Sequence, residues 1–566
     1  MPRQTSDAST TTRAADETLE DYTLRFAPRG YRRWSPPVVA TTALGGIAYL
    51  ADFSIGAGIG LTHGTSNALL GIAVAALIIF TTGLPIAYYC ARYNIDLDLV
   101  TRGSGFGYYG SVLTSVIFGS FTFIFFATEG AIMAQGLRVG LGIPLWLGYL
   151  ITTLIVIPLV VYGMSALSKL QVWTTPVWLL LMVAPMAYLV LSDPGSLGEW
   201  LAFAGRDGSG GVSVAAVLLG AGVALSLMAQ IGEQVDYLRF MPPKTRENSR
   251  RWWISVVAAG PGWVVFGALK QATGAFLAFF VLGLAGSAAT EPVEQFLGVY
   301  GLFLPGWLAV ALAVVLVVVS QIKINVTNAY SGSLTWTNSA TRLTRRYPGR
   351  NVFVFGNLAV ALVLMEANMF AFLNSVLSFY ANTAIAWVVT VASDIVLNKY
   401  LLRLSPRVPE YRRGMLHPIN PVGVISFSAA SVISIAMYFG ALGSALQPYS
   451  PIAAVLLALV LPPMVALATR GRFYLRRTDD GIPEPRFDNT GTPVATAYRC
   501  HVCGQDFERP DVLACPTHED VVCSLCVTTD RSGTHLLPAQ STPLPRAGFR
   551  HGNGHDERDG EPLLKN

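Results

Sequence analysis

Three short pairs of metal-ligating side chains sit close together near the C-terminal end: Cys500-x2-Cys503, Cys515-x2-His518 and Cys523-x2-Cys526. Five of the six cysteines of the chain lie between 500 and 526. Paired thiolates two residues apart are the knuckles that grip a tetrahedral ion, so this spacing predicts a small treble-clef or ribbon-like zinc module. The simplest single site is Cys500, Cys503, Cys523 and Cys526. Cys515 and His518 either seed a second site, with His535 and Asp530, or replace one pair in the first. Few apolar residues surround these ligands, so the module is expected to be unfolded without metal.

A second group of reactive side chains lies where the chain is otherwise apolar: Asp52, Glu129, Lys270, Lys323 and Glu366. A charge at the centre of a bilayer costs at least about 2.5 to 3.5 kcal/mol on insertion scales, so each is expected to face protein or a water-filled cavity. A purely structural ion pair between helices is the alternative for any one of them.

The elements that must carry these groups follow from composition. Of 566 residues, 52% are hydrophobic and 13% charged, too little polar surface for a soluble globule of this size. Apolar stretches of about 20 residues, enough to cross roughly 30 Å of hydrocarbon, recur about twelve times. They lie near 38–60, 68–90, 110–136, 143–163, 172–192, 212–232, 254–285, 301–325, 353–373, 376–398, 419–441 and 451–469. The expected class is therefore an all-α polytopic membrane protein. No cleavable signal peptide is expected, because the first 37 residues are polar.

Orientation follows from Lys and Arg in the loops. Arg25 to Arg33, Arg92 and Arg102, Arg239 to Arg251, Arg342 to Arg350, Lys399 to Arg413 and Arg470 to Arg477 all fall on one side. The intervening loops hold little beyond Arg138, Arg206, Glu291 and Glu294. The positive-inside rule thus predicts a multi-pass protein of the inner or plasma membrane with both termini cytoplasmic. A cytosolic tail disfavours disulfides and favours zinc in the cysteine module. The net charge of +5 resides in these loops, so no nucleic-acid partner is expected.

The first span reads "YLADFSIGAGIG", with Asp52 and Ser54 ahead of Gly56, Gly58 and Gly60, and the sixth reads "SLMAQIGEQVDYLRF", with Gln230, Gly232 and Glu233. Small and polar residues at matching places five spans apart suit a transporter with two repeats of five and broken helices one and six. Unwound backbone there offers carbonyls to a cation and helix N-termini to a substrate. Glycine used only for close helix packing is the alternative.

Three further stretches carry a resemblance. "LVTRGSGFGYYGS" (99–111) resembles the Arg-Ser-Phe-Gly segment between helices two and three of the nucleobase:cation symporter-1 family, which includes cytosine, purine, allantoin and hydantoin permeases. "VDYLRF" (235–240) is similar to its Asp-x-x-Arg-aromatic signature, and "NVTNAYSGSLTW" (325–336) to its Asn-rich segment in helix eight. The resemblance implies a LeuT-like core of ten helices in two inverted five-helix repeats, two further C-terminal helices, and a mid-membrane substrate site between helices one, three, six and eight. Aligned through "FGSFTFIFFATEG", the position where the family presents an indole for stacking falls on Phe125, and the edge reader one turn later on Glu129. Both depart from the family pattern; a packed Phe with Glu129 paired to Lys323 or Lys270 is the alternative.

The substrate-binding set read this way is Phe125, Glu129, Gln230, Asn325 and Asn328. The ion-coupling set is Asp52, Ser54, Ser320 and Lys323. In sodium-coupled relatives the Ser320–Lys323 neighbourhood supplies hydroxyls that coordinate the ion with carbonyls of broken helix one. An ammonium at Lys323 would substitute for that cation, near Asp52, and repel sodium. The expected organisation is a cytosolic tail over 1–35, a transporter-like domain over 36–472, a flexible linker over 473–498, a zinc module over 499–530 and a disordered tail over 531–566. The function expected is secondary transport of a nucleobase-like nitrogen heterocycle, proton-coupled or facilitated. The alternative is a transporter-like receptor that signals to a cytosolic protein through the zinc tail. An enzyme is not expected, since no nucleophile–base pair or phosphate loop is visible.

Overall fold

The computed structural model describes residues 24–538 apart from 29, 31, 33, 162–163, 209–210, 369–372 and 483–496; most of the expected N-terminal tail, the middle of the expected linker and most of the expected disordered tail lie outside the described residues. Among the described residues, nine helices are long and apolar enough to cross a membrane, ten when the bent pair in the first span is counted. The protein is thus a multi-pass membrane protein. Two of the twelve expected spans, the fourth and ninth, are helices of 17 residues, Leu145–Val161 and Arg350–Glu366, at the short end of the spanning range. Glu366, expected inside an apolar span, instead closes the ninth helix and is exposed.

The first span is broken. Pro36–Gly45 continues through a short 3₁₀ turn, Gly46–Ala48, and Ala51–His63 leaves at an angle of 52°. Tyr49 at the break is extended (φ −57°, ψ 149°), so the carbonyls just before it lose their helical partners. The sixth span is interrupted more mildly, by a 3₁₀ stretch, Leu225–Ala229, between Val214–Ala224 and Gln230–Leu238, and runs on as one span without a comparable bend.

The glycines that follow the first break serve packing. A Cβ on Gly56 would lie 1.8 Å from the Gln271 carbonyl oxygen, and one on Gly274 would lie 2.3 Å from the Phe53 backbone. The first span and the seventh, Trp263–Ala285, therefore pack backbone against backbone. That close approach brings Lys270 to the break.

The eighth span, Gly306–Thr344, has 39 residues. At 1.5 Å per residue it is about 58 Å long, roughly twice the hydrocarbon thickness. Its polar half is nonetheless buried, with Ser320, Gln321, Lys323, Asn325, Thr327 and Asn328 all inaccessible. It packs along the third span, Val112–Leu141.

The cysteine region forms two small antiparallel ribbons, β1 (Tyr498–Arg499) with β2 (Asp506–Phe507) and β3 (Val512–Ala514) with β4 (Val521–Cys523), followed by the helix Ser524–Thr529. Its core is larger than the ligand neighbourhood suggests. Phe507, Val512, Leu513, Val522 and Val527 are buried together with Met415 from the loop after the tenth span, Ile482 and Leu537. Residues 473–482 and 531–538, expected in the linker and the tail, are thus partly ordered by packing. Tyr474 hydrogen-bonds Asp394 and Asn398, and Leu537 is fully buried.

Candidate functional site

Lys270 supplies the cation in the break of the first span. Its Nζ donates to the carbonyl oxygens of Ile47 (2.6 Å) and Tyr49 (2.9 Å), lies 2.9 Å from Asp52 Oδ2 and sits 3.7 Å from the Tyr49 ring centroid. Gln271 Nε2 donates to Asp52 Oδ1 at 2.7 Å. Carbonyls released by the broken helix are strong acceptors with no partner of their own, and a buried ammonium satisfies two of them while neutralising one carboxylate.

Lys323, the residue expected there, is turned away. Its Nζ donates to the Gln171 carbonyl (3.0 Å), Thr174 Oγ1 (2.9 Å) and Thr175 Oγ1 (3.0 Å), all on the fifth span, Met164–Ser192. Gln171 Nε2 in turn donates to the Lys323 carbonyl at 2.9 Å. The long eighth helix presents Lys323 to the fifth helix, and no Lys323–Asp52 ion pair is present among the described residues. Ser320 and Ser54 are buried, and neither hydroxyl has a protein partner among the described residues.

Glu129 reaches the same break from the third span: Oε1 accepts from the Ala51 backbone N–H at 3.3 Å, and Oε2 has no protein partner among the described residues. Phe125, one turn earlier, is buried and packs on Phe121 with centroids 4.4 Å apart. Phe121 lies 6.3 Å from Tyr380 and Phe118 lies 5.8 Å from Trp387, so an aromatic layer joins the third span to the tenth, Leu373–Ser393. A Cβ on Gly232 would meet Phe118 Cζ at 2.4 Å, which explains the glycine in the sixth span. Gln230 donates to Glu233 Oε2 at 2.6 Å. Asn328 Nδ2 lies 3.4 Å from Asn325 Oδ1, leaving Asn325 Nδ2, Asn328 Oδ1 and Glu233 Oε1 without a protein partner among the described residues.

Sequence reasoning missed two features. Thr327 joins the eighth span to three others: Tyr237 Oη of the sixth lies 2.9 Å from its hydroxyl, Gln171 Nε2 of the fifth lies 3.4 Å away, and a Cβ on Gly46 of the first would approach it to 3.3 Å. The second is a buried ionic layer made by the quoted motifs. Asn94, in the left-handed region at the end of the second span (Thr65–Tyr93), donates to the carbonyls of Arg239 (2.9 Å) and Met241 (2.8 Å), and Asp96 lies 3.5 Å from Arg239. Arg102 donates to Asn338, and Arg342 to Ser111 and Ser115, whose hydroxyl bonds Asp98. The two acids of "DLD" (96–98) between apolar neighbours were its signal in the sequence.

The cysteine module rests on that layer. Tyr108, whose ring lies 5.3 Å from the Arg102 guanidinium and 5.8 Å from that of Arg342, places its Oη 2.9 Å from Thr528 Oγ1. Tyr411 Oη donates to Asp511 Oδ1 at 2.9 Å, and Arg413 donates to the Val527 and Asp530 carbonyls at 2.8 and 3.1 Å. Asp480 accepts from Arg412 (2.9 Å) and Arg509 (2.7 and 3.0 Å). Burial pushes its carboxyl up, but the bonds from Arg509 and the Arg412 charge outweigh this and hold it below the usual carboxylate range.

The sulfurs of Cys500, Cys503, Cys523 and Cys526 lie within 4.8 Å of one another, a group that could hold a metal ion. Cys503 Sγ and Cys523 Sγ are 4.0 Å apart, close to the roughly 3.8 Å expected for two sulfurs bound tetrahedrally at about 2.3 Å. Backbone N–H groups of Cys523 and Cys526 point at Cys500 Sγ and Cys523 Sγ (3.3 and 3.4 Å), as in a thiolate knuckle. Cys515 and His518 do not enter this group; they lie with His535 in a separate one.

Comparison with solved structures decides the architecture. A structure of Mhp1, a nucleobase-cation-symport-1 family transporter, in a closed conformation with bromovinylhydantoin bound, matches with a TM-score of 0.57 at 16% identity, covering 81% of this chain and 95% of that one. The fold is that of this transporter. An inward-facing Mhp1 matches at 0.54 and 19% identity, over 78% of this chain and 95% of that one. A sodium-coupled sialic acid symporter in a substrate-bound outward-open state matches at 0.50 and 11%, over 81% and 97%. No family model and no curated protein matches the sequence. The membrane domain is thus a LeuT-like core, with helix one broken as expected and helix six interrupted by a 3₁₀ stretch.

Proposed function

We propose that the protein is a secondary transporter of the nucleobase:cation symporter-1 type, carrying a nucleobase-like nitrogen heterocycle bound between spans one, three, six and eight. The observation that carries this reading is the meeting of Glu129 with the break of the first span, one turn from the Phe121–Phe125 aromatic pair. Phe125 offers a face to a planar ring, while Glu129 Oε2, Gln230, Glu233, Asn325 and Asn328 offer donors and acceptors to its edge. Buried polar atoms without protein partners need one, and the N–H and C=O groups of a heterocycle supply it. Coupling does not use sodium in this reading. The Lys270 ammonium holds the carbonyls of the break together with Asp52, and a second cation a few ångströms away would be strongly repelled. The four-cysteine group holds zinc, and the arginine-rich face with the module is cytoplasmic.

Uptake of labelled purines, pyrimidines and hydantoins into proteoliposomes tests this reading. Accumulation of at least one class, unchanged when choline replaces sodium, is expected. Accumulation that requires sodium overturns the coupling assignment, and an absence of accumulation of every class overturns transport.

A second reading, ligand sensing through the tail, is favoured by one contact: Tyr108 stacks against Arg102 and Arg342 of the ionic layer and bonds Thr528 of the module. If ligand changes hydrogen exchange across residues 500–537 without accumulating, and Tyr108→Phe abolishes that change, the receptor reading takes its place.

A further inference from the structure

We infer that Cys515, His518 and His535 form a second zinc site, separate from the four-cysteine group and open to water, whose metal clamps the segment 530–537 onto the membrane domain. Nδ1 of His518 and Nδ1 of His535 each lie 3.2 Å from Cys515 Sγ, and the three donor atoms lie within 4.8 Å of one another. Tetrahedral zinc, with sulfur at about 2.3 Å and nitrogen at about 2.1 Å, sets such S···N separations at roughly 3.6 Å, within a few tenths of an ångström of those present. One thiolate and two imidazoles form a donor set that suits zinc.

The scaffold delivers each donor independently of a metal. The Cys515 N–H donates to the Asp520 carbonyl at 2.9 Å and closes the knuckle that carries Cys515 and His518. His535 arrives on a loop shaped by Asp530, whose carboxylate accepts from the backbone N–H groups of Gly533 (2.9 Å) and His535 (2.8 Å) and from Ser532 Oγ (2.7 Å). Asp530, which the sequence offered as a ligand, is thereby engaged in holding the loop. His501 stacks on His518 at 4.3 Å, but its Nδ1 faces Asp520 at 3.7 Å. Three protein donors leave the fourth position of a tetrahedron for water, on the side where His518 is exposed.

The clamp follows from what comes next in the chain. Leu537 is fully buried in one cluster with Met415, and its Cβ lies 3.3 Å from where a Gly414 Cβ would stand. A metal joining His535 to Cys515 therefore ties the segment ending at Leu537 to the module and to the 411–416 loop between the tenth and eleventh spans.

The test is zinc stoichiometry of the full chain, purified in detergent with excess zinc and desalted. Two zinc ions per chain are expected in the wild type, one quickly removed by a chelator and one slowly. Cys515→Ser and His535→Gln should each leave one, the slow ion, and raise hydrogen exchange in 530–537 and 411–416. Hydrogen bonding alone through Thr517, which lies 3.2 Å from Cys515 Sγ and 2.9 Å from His518 Nδ1, predicts one zinc in all three proteins. That result, or two ions retained in both variants, overturns the site. Should a variant misfold, the wild-type stoichiometry and its two release phases still decide: a single ion overturns the proposal.

Discussion

Lys270 of the seventh span and Asp52 of the first form a buried ion pair at 2.9 Å, inside the break whose carbonyls the same ammonium binds. Such a pair is costly to desolvate and costly to break, so its role is read best by removing one partner and then both.

Lys270→Met leaves Asp52 and two carbonyls without their partner. A loss of about 3 to 5 kcal/mol is expected, the usual scale for an orphaned buried charge, seen as a lower melting temperature in detergent. The double variant Lys270→Met/Asp52→Asn should recover much of it; a double no more stable than the single would show that the pair is not the source.

Glu129→Gln keeps shape at the break but removes a titratable acceptor. Ligand affinity measured against pH should flatten relative to wild type, because an amide does not ionise in the working range. Superimposable pH curves would remove Glu129 from ligand contact.

Phe125→Ala removes the ring proposed to face a planar ligand. Affinity should fall by about 1 to 3 kcal/mol, the scale for losing one aromatic platform, while Phe125→Trp retains stacking. Part of any stability change will come from the Phe121 contact, so binding is read at a temperature where both proteins are folded. Unchanged affinity in the alanine variant excludes stacking there.

Lys323→Thr loses three hydrogen bonds to the fifth span. Charged donors contribute about 1.5 to 3 kcal/mol each in comparable settings, so a clear drop in thermal stability is expected, with no sodium response in binding. A sodium-dependent Lys323→Thr protein would return Lys323 to the coupling site.

Asp480→Asn weakens the tie between the linker and the module. Because its partners hold the native carboxyl below its ordinary value, the carboxylate stabilises the wild type above the unfolded pKa of about 3.9, and that contribution is lost as pH falls below it. Limited proteolysis between Arg477 and Ile482 should therefore quicken in wild type on acidification below about pH 4. The asparagine variant should be cut faster already at neutral pH, and equal rates at neutral pH would show that the pair does not hold the linker.

Much of the membrane architecture was legible in the sequence because hydropathy is a one-dimensional property. A stretch of 20 apolar residues reads as a span wherever it packs, and small residues five spans apart read as paired interruptions. The breaks were less legible in position: the first falls at Tyr49, ahead of the glycines, and those glycines admit the seventh span. The grouping of the module's four cysteines was legible from spacing, but its core was not, since Met415, Ile482 and Leu537 come from segments that look like loop, linker and tail.

Hydropathy and residue spacing alone establish that this chain crosses a membrane many times, that charged groups are buried in it, and that a cysteine-rich module with a group of sulfurs able to hold a metal ion follows the last span. Only the tertiary structure decided which lysine serves which acid. Lys270 and Lys323 each sit in an apolar helix, and spacing along one helix says only which residues share a face. Which neighbour that face meets depends on how closely two backbones approach, and here Gly56 and Gly274 let the first and seventh spans touch, so the cation in the break is Lys270.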